Sequence, residues 1–385
     1  MNQKNMKKIL FFIESLSGGG AEKVLTTLVK NLDKQKFDIT VLVVAKTGVY
    51  VKEVEKYCHL ISMLQDYDSL SNIVEKMKYR YTYKWIYNSS PGDVYRKYIS
   101  EQYDVEVAFV EGFATRIIAE STNEKSKKVC WLHIDMENNP YADQYYSSID
   151  EERLTYQKYD KIVGVSKSVK STFEKKFNLK DRVEVIYNPI DSKEINLRAG
   201  EKRIAVPNKE QGLKIISIGR LERQKGYDRL IMGLKNIDNK KYPFHLWILG
   251  EGSERSYLER LIKDNCLEEQ VSLVGFQENP YAWLAMSDIF VCSSRAEGYS
   301  LAIAEAMILG LPILSVDCAG PNELLDFGKY GILIQNTDEA LEQKLQKLLE
   351  GKIELEKYAK LSEQRQHFFE LSGILKQVEK LLIDE

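Results

Sequence analysis

Short apolar runs rich in β-branched residues recur along this chain, each followed by a loop and then by a helix-length segment. Runs this short and this apolar read as strands buried on both faces, and their alternation with helical segments reads as parallel sheet covered by helices. The first run, residues 8–14, passes through Ser15, Leu16, Ser17, Gly18, Gly19 and Gly20 into a segment whose Val24, Leu25, Leu28 and Leu32 share one helical face. Residues 39–45 supply the next strand and complete a βαβ unit, and runs at 105–110, 129–133, 162–165 and 183–187 continue the pattern. The stretch 190–212 interrupts it, being polar, aperiodic and marked by Pro207. Runs at 213–218, 245–249, 271–274, 289–292 and 312–316 then restart it, and residues 354–385 read as charged helix. A chain of 385 residues exceeds one ordinary core. The expectation is an α/β protein of two Rossmann-like domains, residues 1–192 and 193–365, followed by a helix in residues 366–385.

Composition narrows the class. Apolar residues make up 44% and charged residues 29%, the balance of a soluble globular protein, and the formal charge of −2 provides no global field for nucleic acid. Cys58, Cys130, Cys266, Cys292 and Cys318 are odd in number and lack Cys-x-x-Cys spacing, so neither a disulfide framework nor a zinc site is predicted. Reduced thiols fit a cytoplasmic protein. Lys4, Lys7 and Lys8 before an apolar run imitate a secretory signal, but Glu14 interrupts the run, and no window reaches the ~18 apolar residues of a spanning helix.

Several loops after predicted strands carry candidate chemistry. The glycines at 18–20 precede a helix, where backbone amides and the dipole favour an anion, with a tight structural turn as the alternative. Arg220 and Lys225 follow the strand 213–218, where open α/β sheets bind ligands, and two such cations match a diphosphate, or else form a solvated charge cluster. Glu297 and Glu305 stand eight apart, one in the loop and one on the helix after it, as acceptors for two pairs of sugar hydroxyls or as capping carboxylates. His133 closes its strand, and Ser166, Lys167, Asn188, Pro189, Ile190 and Asp191 repeat that placement with ordinary turn chemistry.

Taken in order, these segments resemble the retaining glycosyltransferases of family 4. The residues that carry the resemblance are Gly18 to Gly20, His133, Val165 to Lys167, Asn188-Pro189, Gly219-Arg220, Lys225-Gly226, Gly250-Glu251-Gly252, Gly275-Phe276, Glu297, Glu305 and Gly320-Pro321-Asn322-Glu323. The resemblance implies the GT-B fold, two Rossmann-like domains with parallel sheets facing across a central cleft, and a last helix that returns to the first domain. It implies a transferase that moves a hexose or N-acetylhexosamine, with retention, from a nucleotide diphosphate sugar (UDP favoured) to a glycan or glycolipid acceptor in surface polysaccharide synthesis. His133, Arg220, Lys225 and Glu297 would be catalytic. Gly19, Gly20, Gly219, Arg220, Lys225, Gly250, Gly275, Phe276, Glu297, Gly298, Tyr299, Ser300, Leu301 and Glu305 would hold the donor, with Glu305 on the ribose, while Gly18 faces the acceptor. No cofactor or metal is expected, because such enzymes work without one. Tyr299-Ser300 stands where Phe-Gly is commoner, and residues 72–103 match no family motif.

Within that unmatched stretch, Lys76, Lys78, Arg80 and Lys84 interleave with Tyr79, Tyr81, Tyr83, Trp85 and Tyr87. Cations over headgroup-depth aromatics suit the anionic inner face of the cell membrane, with a core-packed or solvated helix as the alternative. Two other functions share the architecture: a nucleotide-sugar epimerase, which needs no acceptor, and a non-catalytic subunit of a transferase complex.

Overall fold

The computed structural model describes residues 6–137, 139–201 and 212–384. Lys4, Pro207 and residues 202–211 of the interrupted stretch lie outside the described residues. The chain divides into two compact units, one of Met1–Pro189 with Ser372–Glu385 and one of Ile190–Leu371.

The first unit holds β1 (Lys7–Ile13), β2 (Phe37–Ala45), β3 (His59–Leu64), β4 (Val105–Ala108), β5 (Lys127–Leu132), β6 (Lys161–Gly164) and β7 (Val183–Val185). Their order across the sheet is β3-β2-β1-β4-β5-β6-β7, every pair parallel. The second unit holds β8 (Leu213–Ile218), β9 (Phe244–Leu249), β10 (Val271–Gly275), β11 (Ile289–Cys292), β12 (Ile313–Val316) and β13 (Ile332–Ile334), in the order β10-β9-β8-β11-β12-β13, again parallel throughout. The direction of strand progression reverses between β1 and β4 in one sheet and between β8 and β11 in the other. Open α/β sheets bind ligands beyond the strand ends at such a reversal, because the connections leave it in opposite directions and open a crevice.

The predicted runs correspond to strands, and two strands escaped the sequence reading. β3 is an edge strand that alternates exposed and covered residues, and β13 is three residues long, so neither presents a continuous apolar run. Central strands are the readable ones: β4 and β11 are buried at every position. In the first core Phe11 meets Phe109 edge-on at 5.8 Å, and Phe109 packs on Trp131 at 5.1 Å. In the second, Leu246, Ile248, Val291 and Leu314 pack with Leu341 and Leu345 of the helix Asp338–Leu349.

The last helix, Leu371–Ile383, buries Ile374, Val378, Leu381 and Leu382, a helical stripe, as part of the first unit. Its carbonyl end is held by lysines of that unit. Lys127 Nζ donates to the carbonyls of Leu381 at 2.7 Å and Asp384 at 2.6 Å, and Lys7 Nζ donates to that of Ile383 at 3.0 Å. These cations satisfy carbonyls that a helix terminus leaves unpaired and oppose its negative dipole end. Leu382→Ala should destabilise the first unit by about 2–5 kcal/mol. Hydrogen exchange would register this as faster exchange in β1, β4 and β5 with β8 and β9 unchanged, and equal loosening of both units would contradict it.

Candidate functional site

The second unit's strand reversal carries a charged pair. Lys225 lies in the turn Arg223–Lys225 after β8, Glu297 lies in the loop after β11, and Lys225 Nζ stands 2.5 Å from Glu297 Oε1. Both side chains are largely buried, and Ser294 Oγ donates to the same oxygen at 2.8 Å. Burial works against the Lys225 charge, but Glu297 outweighs it and holds the ammonium pKa above its ordinary value. One lysine proton and one carboxylate oxygen are thereby engaged, and the remaining lysine protons and Oε2 are available to a ligand. Arg220 is exposed and pairs with Glu222 at 3.2 Å.

The two loops are clasped together by groups that the sequence reading did not single out. Arg229, in the helix Tyr227–Met232, is buried and donates to the carbonyls of Ser293 at 2.7 Å and Ser294 at 3.1 Å, and to Asn336 Oδ1 at 2.6 Å. Arg295 forms a bidentate pair with Asp228 at 2.8 Å through each nitrogen. The available signal was a lone Asp-Arg within an otherwise apolar helical turn. Gly226 adopts φ +66, and a Cβ there would come within 2.2 Å of the Ser293 carbonyl, so the clasp requires glycine. Gly250, after β9, meets the same limit against the Gly219 carbonyl at 2.0 Å.

Glu305 is buried on the helix Leu301–Ile308, and Ser300 caps that helix by accepting from the Ile303 amide. Glu297 precedes the helix, with Gly298 and Tyr299 between it and the cap; the Gly320 amide donates to the Glu297 carbonyl at 2.9 Å. Gly275 ends β10, and Phe276 beyond it is exposed. Gly219, Arg220, Lys225 and Glu297 thus stand at the reversal itself, while Gly250, Gly275 and Phe276 follow neighbouring strands of the same edge.

In the first unit, Gly19 caps the helix Gly20–Asn31, and a Cβ on Gly19 would meet the Glu22 carboxylate. His133 follows β5 with its ring 5.2 Å from that of Phe109, and burial depresses the imidazole to about 3, so it is neutral near pH 7. Its Nε2 is buried without a hydrogen-bond partner among the described residues. Such orphaned atoms are uncommon and mark a place where a ligand or water completes the set. Glu111, not anticipated from sequence, accepts from the backbone amides of His133 at 2.5 Å and Ile134 at 2.8 Å, and burial raises its carboxyl to about 7 despite those amides. Ser166 and Asp191 cap the helices Lys167–Phe177 and Ser192–Ala199.

The cation-aromatic segment is the helix Ile73–Asn88, and its faces differ from the expectation. Tyr79, Tyr83 and Tyr87 stack along one side at 6.3 and 4.7 Å, Tyr87 continues onto Phe113 at 4.4 Å, and Trp85 packs against Tyr98 with Lys97 over its ring. Lys76 and Arg80 lean onto Tyr67. The outward apolar side chains are instead Ile73, Val74, Met77 and Tyr81, which are 75%, 71%, 64% and 74% exposed, beside exposed Lys78, Arg80 and Lys84. Period 3.6 separates these two sets, whereas the alternating order of the sequence blends them. No described helix is long and apolar enough to cross a membrane.

Comparison with known proteins accounts for this layout. The model of Glycosyltransferase Family 4 matches residues 18–194, and that of Glycosyl transferases group 1 matches residues 200–368. A Campylobacter jejuni protein, N-acetylgalactosamine-N,N'-diacetylbacillosaminyl-diphospho-undecaprenol 4-alpha-N-acetylgalactosaminyltransferase, is 28% identical over 90% of this chain and 91% of its own. An uncharacterized glycosyltransferase of Haemophilus influenzae is 27% identical over 97% of this chain and 99% of its own. Among solved structures, Anabaena HepE in complex with UDP-glucose shares the fold with a TM-score of 0.76 at 19% identity, covering 98% of this chain and 99% of that one. TarM of S. aureus does so at 0.71 and 13% identity, covering 98% and 100%. A family 4 domain followed by a group 1 domain, each built on its own parallel sheet, makes this chain a member of the family 4 glycosyltransferases of the GT-B fold.

Proposed function

We propose that this glycosyltransferase moves a hexose or N-acetylhexosamine from a UDP-sugar to a lipid-linked glycan, with retention of anomeric configuration, on the cytoplasmic face of the membrane. The observation that carries the donor assignment is the Lys225–Glu297 pair at the strand reversal, with Arg220 earlier in the same connection after β8. Two cations there offset the charge that builds on a departing diphosphate, which is the main electrostatic demand of glycosyl transfer. Glu297 Oε2 and the Glu305 carboxyl accept from sugar and ribose hydroxyls, and His133 presents a neutral Nε2 to a further hydroxyl. With the leaving group stabilised and the acceptor aligned, transfer with retention proceeds without a protein nucleophile, a leaving phosphate oxygen taking the acceptor proton. UDP-glucose is bound by the fold relative HepE, and the Campylobacter jejuni relative is named for a diphospho-undecaprenol acceptor. Five free cysteines suit a reducing compartment.

Calorimetry with UDP tests the donor site. Arg220→Ala and Glu305→Ala should each weaken binding by about 1.5–3 kcal/mol, the range for hydrogen bonds to charged groups. Turnover should persist in EDTA, since Arg220 and Lys225 supply the neutralising charge. Unaltered UDP affinity in both variants, or activity lost in EDTA and restored by magnesium or manganese, would contradict the assignment.

The outward face of the helix Ile73–Asn88 is the proposed membrane contact, with Ile73, Val74, Met77 and Tyr81 at headgroup depth and Lys78, Arg80 and Lys84 on anionic lipid. Co-sedimentation with phosphatidylglycerol vesicles should fall on Met77→Ser, and on Lys78→Gln with Lys84→Gln by about 1 kcal/mol per lysine. Binding by the native protein should weaken at 1 M salt, where screening acts within ~3 Å. Equal vesicle binding by native protein and variants would reject the face.

A further inference from the structure

The strand reversal of the first unit, between β1 and β4, carries a cluster that the donor chemistry does not use. Glu14 is the first residue beyond β1, and Tyr87 Oη donates to its Oε2 at 2.8 Å. Tyr145 Oη hydrogen-bonds the same carboxyl, and Tyr141 Oη lies 3.0 Å from Tyr145 Oη. No cation among the described residues pairs with Glu14. Burial raises its carboxyl pKa, the two tyrosines oppose that, and nearby Glu22 adds to it. A carboxyl held by two tyrosines and no cation, at a crevice where ligands bind, is poised to accept from another hydroxyl.

The surroundings are aromatic and tightly fitted. Phe113, which opens the helix after β4, is buried under Tyr87 at 4.4 Å and lies 6.4 Å from the ring of Tyr145. Gly112 has φ +84, and a Cβ there would come within 2.6 Å of the Tyr145 ring, so only glycine lets the ring settle there. Tyr83 and Tyr141 keep substantial exposed surface at the rims. A carboxylate between aromatic rims offers what a pyranose presents: hydroxyls on its edge and C–H groups on its face.

We infer that Glu14, Tyr87 and Tyr145, rimmed by Tyr83 and Tyr141, form a carbohydrate subsite that takes the terminal pyranose of the acceptor. Glu14 accepts from one ring hydroxyl, the two tyrosines fix the carboxyl's orientation, and the rims cover a C–H face of the sugar. Glu14 is then a residue that selects the acceptor by the configuration of that hydroxyl. The inference rests on the reading of this chain as a transferase to a glycan, but it concerns the first unit and not the donor.

The test uses the full chain and four probes, the p-nitrophenyl α-glycosides of N-acetylgalactosamine, N-acetylglucosamine, galactose and glucose, with UDP titrated in parallel. Saturation-transfer NMR and calorimetry should show the native protein binding at least one glycoside in preference to the others. Glu14→Gln and Tyr145→Phe should each weaken that glycoside at least tenfold and leave UDP affinity within twofold. Monodeoxy versions supply a readout that a merely structural role would not move: one position should matter to the native protein and cease to matter in Glu14→Gln. Should Glu14→Gln fail to fold, Tyr145→Phe, which leaves the carboxyl and Tyr87 in place, carries the same comparison. Native protein that binds UDP but none of the glycosides overturns the subsite, as do variants with native glycoside affinity and native deoxy-sugar discrimination. Native protein that binds a glycoside through Glu14 but no UDP supports the subsite and rejects the donor reading instead.

Discussion

A parallel ladder cannot be closed by tight turns, so every connection must run back across a face of the sheet and every strand must end on the same edge. The chemistry of this chain follows from that constraint. Residues remote in sequence are delivered to one line: Lys225 from the loop after β8 and Glu297 from the loop after β11 meet because β8 and β11 are neighbours at the point where strand progression reverses. In the other sheet β1 delivers Glu14, while β4 delivers Phe113 by way of Gly112. Lys225 and Glu297 are remote in sequence and adjacent strands bring them together, while Tyr87 and Tyr145 reach Glu14 from helical segments outside the sheet.

Burial then decides what these groups can do. Glu297 is nearly inaccessible, and a carboxylate in that position must be paired or protonated. Lys225 and Ser294 provide the pairing, which leaves hydrogen-bonding capacity on both members of the ion pair. His133 shows the opposite outcome: burial without a charged partner keeps its ring neutral and its Nε2 an acceptor. Arg229 belongs to the scaffold, because its guanidinium is consumed by backbone carbonyls of the Glu297 loop and by Asn336. Its removal would leave those carbonyls unsatisfied in a dry setting.

The sequence is a good guide to the central strands, and among the edge strands it marks β7 and β10 but misses β3 and β13. β4 and β11 are buried at every position because both of their faces are covered, whereas β3 and β13 are half-exposed or too short to carry a pattern. Candidate residues such as Arg220, Lys225, Glu297 and His133 do lie just past central strands, where the sequence reading put them. Their partners were not legible. Ser294, Arg229 and Glu111 act through contacts that no spacing encodes. The helix Ile73–Asn88 exposed the limit of reading charge and aromatic content as a list, because the projection of successive residues stacks Tyr79, Tyr83 and Tyr87 along one side and leaves Ile73, Val74, Met77 and Tyr81 on another. Glu14 was met as an interruption of an apolar run, and its tyrosine partners, 73 and 131 positions away in the chain, give it another meaning.

The central claim is that the second unit's strand reversal binds the diphosphate of the donor. A crystal structure of the complex with UDP measures this directly. The account predicts both phosphates beyond the ends of β8 and β11, within hydrogen-bond reach of Arg220 and Lys225, with the ribose hydroxyls on Glu305. A diphosphate seated on the amides of Gly18, Gly19 and Gly20, with Arg220 and Lys225 untouched, would contradict it.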